Sequence, residues 1–118
     1  MSNLYNWGGN LNYSLEEQIV GTWINGKPIY QKTYVWSGTL PTNGTTKIPA
    51  GIDADTIVNI GGIIYRSGFF TKVVEPQSTG QLVNTYYFNG DGNIYIHSIL
   101  QYQNATAWIT LQYTKTTD

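Results

Sequence analysis

Asn25-Gly26 stands between residues 18–24 and 27–36, two alternating runs rich in β-branched and aromatic side chains, and nothing else in the chain restricts its fold as tightly. An Asn-Gly pair supplies positive φ at both central positions of a two-residue type I′ turn, whose twist matches that of antiparallel strands. In that register Ile24 and Lys27 close the turn, Trp23 faces Pro28 in a non-hydrogen-bonded pair, and Thr22 lies opposite Ile29. The absent N–H of Pro28 then removes no bond between these strands. Trp23 can stack on the proline ring, a cross-strand contact of roughly 0.2–1 kcal/mol. Upstream, Ser14-Leu15-Glu16-Glu17 has the S-x-x-E spacing of a capping box and predicts a single helical turn.

Period-two alternation recurs along the chain while helical periodicity does not. The spacing predicts strands over 18–24, 27–36, 45–48, 56–66, 69–74, 81–88, 93–102 and 107–115, punctuated by Gly, Asn, Pro and Ser. About eight short strands in 118 residues predict a single all-β domain, an antiparallel β-sandwich of jelly-roll type, with 1–15 as an N-terminal lead-in. Pro41-Thr42-Asn43-Gly44 and Pro76-Gln77-Ser78-Thr79-Gly80 read as its longest loops. Asn89-Gly90-Asp91-Gly92-Asn93 must reverse the chain, with either Gly90-Asp91 or Asp91-Gly92 at its centre. The better turn chemistry of Asp91-Gly92 sets Tyr95 opposite Phe88 and His97 opposite Tyr86. Gln103-Asn104-Ala105-Thr106-Ala107, between Tyr102 and Trp108, predicts a further hairpin loop, so that 81–115 forms a three-stranded meander. Ile94, Ile96, Ser98 and Leu100 then share one face.

Charged residues make up 11% of the chain, against roughly a quarter in an ordinary soluble domain, and ten tyrosines, four tryptophans and thirteen glycines take their place. Disordered chains have the opposite balance. A net charge of −1 with six scattered basic residues leaves no electrostatic footprint for nucleic acid or anionic membrane. Without cysteine there is no disulfide framework, thiolate nucleophile or cysteine-ligated zinc. The start, Met1-Ser2-Asn3-Leu4-Tyr5-Asn6-Trp7, has neither a basic region nor an apolar run, and no stretch approaches the ~18 apolar residues of a membrane span. These features predict a protein made in the cytoplasm without a signal peptide and not inserted in a membrane.

Tyr13-Ser14, Glu16-Glu17 and the string Gly21-Thr22-Trp23-Ile24-Asn25-Gly26-Lys27-Pro28-Ile29-Tyr30-Gln31-Lys32-Thr33 resemble the opening of a small C-terminal domain found in bacteriophage and prophage structural proteins. The far end, Ala107-Trp108-Ile109-Thr110-Leu111-Gln112-Tyr113-Thr114-Lys115-Thr116-Thr117-Asp118, is similar to the way those chains finish, and Ile57-Val58-Asn59-Ile60-Gly61-Gly62 sits where they place a hydrophobic strand ending in glycine. The resemblance covers most of the chain and is specific at its two ends. It implies a virion location, as part of a tail fibre, receptor-binding protein or other appendage, and a homotrimer contacting other virion proteins. It transfers no binding residue. Family members are usually the tail end of longer proteins, whereas Met1 here lies a few residues before the motif, which reads as a stand-alone virion protein or an excised domain.

Candidate chemistry is sparse. His97 is the only histidine, and in an alternating strand it reads as a half-buried polar residue beside Tyr86. With one histidine and no cysteine a metal site would be all-carboxylate, and the Asp91 turn lacks the acidic spacing of a calcium loop, so neither metal nor other cofactor is expected. Glu16-Glu17 and Asp53/Asp55 could suggest the paired carboxylates of a glycoside hydrolase. They read more simply as a capped turn and a loop, and no enzyme is expected. The sequon-like Asn104-Ala105-Thr106 and Asn43-Gly44-Thr45 are chance matches in a chain rich in Asn and Thr.

The aromatics exceed what one small core requires, and tyrosine and tryptophan suit both sugar stacking and subunit seams. Two segments set such rings beside polar groups: Tyr102, Gln103, Asn104 and Trp108 around the expected hairpin tip, and Tyr34 and Trp36 in an expected Tyr34-Val35-Trp36-Ser37-Gly38 turn. The competing reading turns Trp36 and Trp108 inward as core. The expected function is therefore a non-enzymatic virion knob with host cell-surface carbohydrate as a candidate ligand. A capsid decoration or head-fibre protein, or a carbohydrate-binding module, are the alternatives.

Overall fold

A computed structural model describes residues 13–72 and 83–118. In it the period-two runs form β1 (Gln18–Thr22), β2 (Pro28–Leu40), β3 (Gly44–Pro49), β4 (Ala54–Arg66), β5 (Phe69–Lys72), β6 (Val83–Phe88), β7 (Asn93–Ser98) and β8 (Tyr102–Lys115). They build two antiparallel sheets, one ordered β1-β2-β8-β4-β5 and one ordered β3-β7-β6, stacked as a β-sandwich. Among the described residues there is no helix. Among the described residues the loops 41–43, 50–53 and 99–101 carry the chain from one sheet to the other.

The alternation explains the layering. Along β8, Ala105, Ala107, Ile109, Leu111 and Tyr113 are buried while Thr106, Trp108, Thr110 and Gln112 face outward. Ile48, Val83, Ile94 and Ile96 answer from the smaller sheet, and Leu40 and Ile64 complete the core. Burial of each such side chain contributes about 1.5–3 kcal/mol. Two tyrosines enter the core with their hydroxyls satisfied: Tyr34 donates to the Ala50 carbonyl at 2.7 Å, and Tyr113 donates to the Glu17 carboxylate. Ile94, Ile96 and Ser98 do share the buried face, but Leu100 lies past the end of β7 and is 49% exposed.

Both hairpin registers differ from expectation. At the first, only Gly26 takes positive φ (88°) and Asn25 does not, so the turn is not type I′. Gly26 N–H donates to the Trp23 carbonyl at 2.9 Å and Trp23 N–H to the Lys27 carbonyl at 2.8 Å, which closes a three-residue loop. The Asn25 carboxamide oxygen accepts from Lys27 N–H at 3.0 Å and holds that geometry. Thr22 rather than Trp23 consequently faces Pro28, and Gly21 faces Ile29 across a bulge. At the second, Gly92 N–H reaches back to the Phe88 carbonyl at 2.8 Å, giving a four-residue loop in which Gly92 has φ 71°. Phe88 pairs with Asn93, Tyr86 with Tyr95 and Asn84 with His97, the register of the Gly90-Asp91 alternative. His97 is half-buried, opposite Asn84 instead of Tyr86.

The expected 103–107 loop is also corrected. Residues 102–115 form one strand, because the inward alternation continues through Ala105 and Ala107, and the polar step at Asn104 (φ 55°) is absorbed as an irregularity in the pairing with β2. β8 therefore leaves β6 and β7 and becomes the centre of the larger sheet, so the meander ends after one hairpin. Ser14–Glu17 does not form a helical turn either: the Ser14 hydroxyl accepts from Glu16 N–H at 3.0 Å, and Glu17 pairs with Lys115 instead of capping. The second long loop, around Pro76, lies outside the described residues.

Candidate sugar-binding groove

The outer face of the five-stranded sheet is ordered in rows that cross β2, β8 and β4. Val35, Trp108 and Ile63 form one row, Thr33, Thr110 and Gly61 the next, and Gln31, Gln112 and Asn59 a third. The middle row has small side chains and the outer two have large ones. A groove of about 440 Å3 results, with Thr33, Thr110 and Gly61 as its floor, Trp108 and Ile63 as an apolar wall, and Gln31, Gln112 and Asn59 as an amide wall. That volume lies within the ~300–1,000 Å3 of small-ligand sites. Ser14 lies beside Thr33 through a 2.9 Å backbone hydrogen bond, and Tyr13 lines that end.

Side chains hold the floor and the amide wall in place. The hydroxyls of Thr33 and Thr110 are 2.8 Å apart, and Gln112 Nε2 donates to Gln31 Oε1 at 2.8 Å. Among the described residues none that lines the groove is charged. Beyond the apolar wall the face continues as exposed aromatics, with Phe70 6.3 Å from Trp108 and 4.9 Å from Tyr65 between ring centroids.

Of the residues singled out in the sequence, Trp108 alone belongs to this groove. It is 38% exposed and points outward, against the reading that would have put it in the core. Tyr34 and Tyr102 are buried, and the Arg66 guanidinium covers the Tyr102 ring at 4.4 Å. Trp36 is partly buried and packs against the core, and Tyr34-Val35-Trp36-Ser37-Gly38 is interior to β2 and not a turn. Gln103 and Asn104 are exposed at the irregular start of β8. The structure therefore does not assemble either predicted cluster. The irregularity at Asn104 puts Tyr102 and Trp108 on opposite faces of β8, and Trp36 and Tyr34 share the inner face.

Gln31, Thr33, Asn59, Gly61, Thr110 and Gln112 were missed. Their signal was outward alternation of polar residues on three strands, joined to a glycine pair inside a strand, and it becomes a site only when the pairing β2-β8-β4 is known.

The Glu17 and Asp55 carboxylates have structural partners. Glu17 forms an ion pair with Lys115 and accepts from Tyr113; burial alone would raise its pKa, but those hydrogen bonds and the lysine charges outweigh it and hold it below the ordinary value. Asp55 pairs with Lys27 at 2.9 Å, and the Asp53 carbonyl accepts from Thr116 N–H at 3.0 Å. Comparison with known proteins finds no similarity: no family model, no curated protein and no solved structure matches the chain. Among the described residues no helix is long and apolar enough to cross a membrane.

Proposed function

We propose that this chain is a non-enzymatic bacteriophage virion domain of the tail-fibre or receptor-binding knob type, a homotrimer that binds host cell-surface carbohydrate in the groove on its larger sheet. Gly61 carries the proposal. Glycine in a strand interior is destabilising by roughly 0.5–1 kcal/mol relative to alanine. Gly61 has no positive φ to require it, and a Cβ there would meet no atom of the described residues within 4 Å. Local structure therefore gains nothing from this glycine, whereas close approach of a ligand to the backbone does. A tryptophan on one side and amides on the other match the two faces of a sugar ring, apolar C–H and hydroxyl.

A glycan array with the wild-type protein, Gly61→Leu and Trp108→Ala tests this. Retained folding with loss of binding in both variants is expected; binding that survives both would overturn it. Capsid decoration or head-fibre function is the second reading. It is favoured by the 67% exposure of Phe70 on the same face, an apolar strip suited to a neighbouring subunit. Cryo-microscopy of the virion separates the two by locating the chain on tail or capsid.

A further inference from the structure

Resting on the carbohydrate reading, we infer that the groove selects an uncharged glycan and engages two consecutive pyranose rings that lie across the strands, not along them. Three observations lead there. The first is chemical: the groove's side chains, Gln31, Asn59, Trp108 and Gln112 among them, are neutral, so a sialic acid or uronate would bring a carboxylate to a surface with no cation among the described lining residues. A charge desolvated without a partner is strongly unfavourable. Lys72 is outside the groove's lining: it pairs across from Ile63 on the flanking strand β5 and lines an adjoining hollow that shares Gly61, Gly62 and Ile63 with the groove.

The second observation is direction. The floor row, Thr33-Thr110-Gly61, runs from strand to strand, and the apolar and amide walls run parallel to it. A ring in the groove can therefore set one face against Trp108 and Ile63 while its hydroxyl edge meets Gln112 and Asn59, and the next ring repeats that arrangement only if the chain runs across the sheet. The third is length. Neighbouring strands are about 4.8 Å apart, so a floor of three strands spans about 10 Å, room for about two pyranose rings. Tyr13 lines the β2 end, so longer chains leave past Gly61.

Titration calorimetry with neutral single sugars, disaccharides, trisaccharides and tetrasaccharides, and with sialylated and uronate-containing counterparts, decides it, alongside Trp108→Ala, Asn59→Ala and Lys72→Gln. Affinity is expected to rise about tenfold or more from single sugar to disaccharide and then level off. Trp108→Ala should lose about tenfold or more, Asn59→Ala should lose affinity while melting as the wild type does, and Lys72→Gln should bind as the wild type does. Binding of an acidic glycan that depends on both Trp108 and Lys72 would overturn the neutral selection yet leave the groove as the carbohydrate site. Affinity that climbs steadily to the tetrasaccharide would overturn the two-ring footprint alone. If no sugar of either class binds, this inference fails together with the carbohydrate reading.

Discussion

A Cβ at Gly61 points into open space above the groove floor, whereas one at Gly62 would lie 1.9 Å from the Trp108 carbonyl oxygen, on a backbone with φ 145° that L-residues rarely adopt. Adjacent glycines thus answer to different demands, one to the groove and the other to the close approach of β4 and β8. Gly61→Ala is expected to stabilise the fold by roughly 0.5–1 kcal/mol. Gly62→Ala should destabilise it by about 2–3 kcal/mol or more, since the backbone must move as well as accept the strained φ. Thermal melts of the two variants check the pair, and equal shifts would refute the distinction. Trp108 and Trp36 divide in the same way. Trp108→Ala, on the outer face, should cost about 1 kcal/mol of stability or less. Trp36→Ala removes a ring packed on the core and should cost nearer the ~3–5 kcal/mol of a core aromatic.

Elements are tied together by tyrosines and by ion pairs. Glu17, just before β1, binds Lys115 and Tyr113 at the end of β8, so it fastens the chain's first strand to the sheet's central one. Its folded pKa lies below the ordinary 4.5, so its contribution is present above that value and is lost as the pH falls through the lower folded one. Relative to the intrinsic exchange rate at each pH, the protection of β1 amides is expected to drop as the pH falls below 4.5, and Glu17→Gln should show that lower protection already at neutral pH. An unchanged exchange rate in the variant would mean that β1 is held by its pairing with β2 alone. The β6–β7 hairpin has its own tie, the Asp91 carboxylate accepting from Tyr95, and Tyr95 stacks on Tyr86 at 5.6 Å.

For the whole molecule, alkaline pH is the sharper probe. Burial raises Tyr34 from 10.0 to about 12, and burial together with the Glu17 carboxylate raises Tyr113 further. A raised acid of this kind contributes stability that is complete below its unfolded value and lost as the pH climbs toward the folded one. The melting temperature should therefore fall steadily above about pH 10, and Tyr34→Phe should flatten that fall. The proposed trimer is checked by light scattering at high protein concentration. Three protomers are expected, and a monomer mass would count against both the knob and an assembly role for the Tyr65, Phe70 and Trp108 face.

The strands were legible in residue order because side-chain alternation is a local property: a run such as Ile94, Ile96 and Ser98 exposes its own buried face without reference to any partner. Composition likewise excluded a thiolate site. Register was less legible, since it turned on whether Asn25 would take positive φ or use its carboxamide to cap Lys27, a difference of a single backbone torsion well. Of the order β1-β2-β8-β4-β5 only the hairpin neighbours β1 and β2 could be read. Strand neighbours far apart in sequence are chosen by how two sheets jointly bury their apolar faces, and that choice alone brings Thr33, Gly61 and Thr110 into one row. The groove is a property of that pairing, which is why Trp108 was identifiable as a candidate while the residues beside it were not.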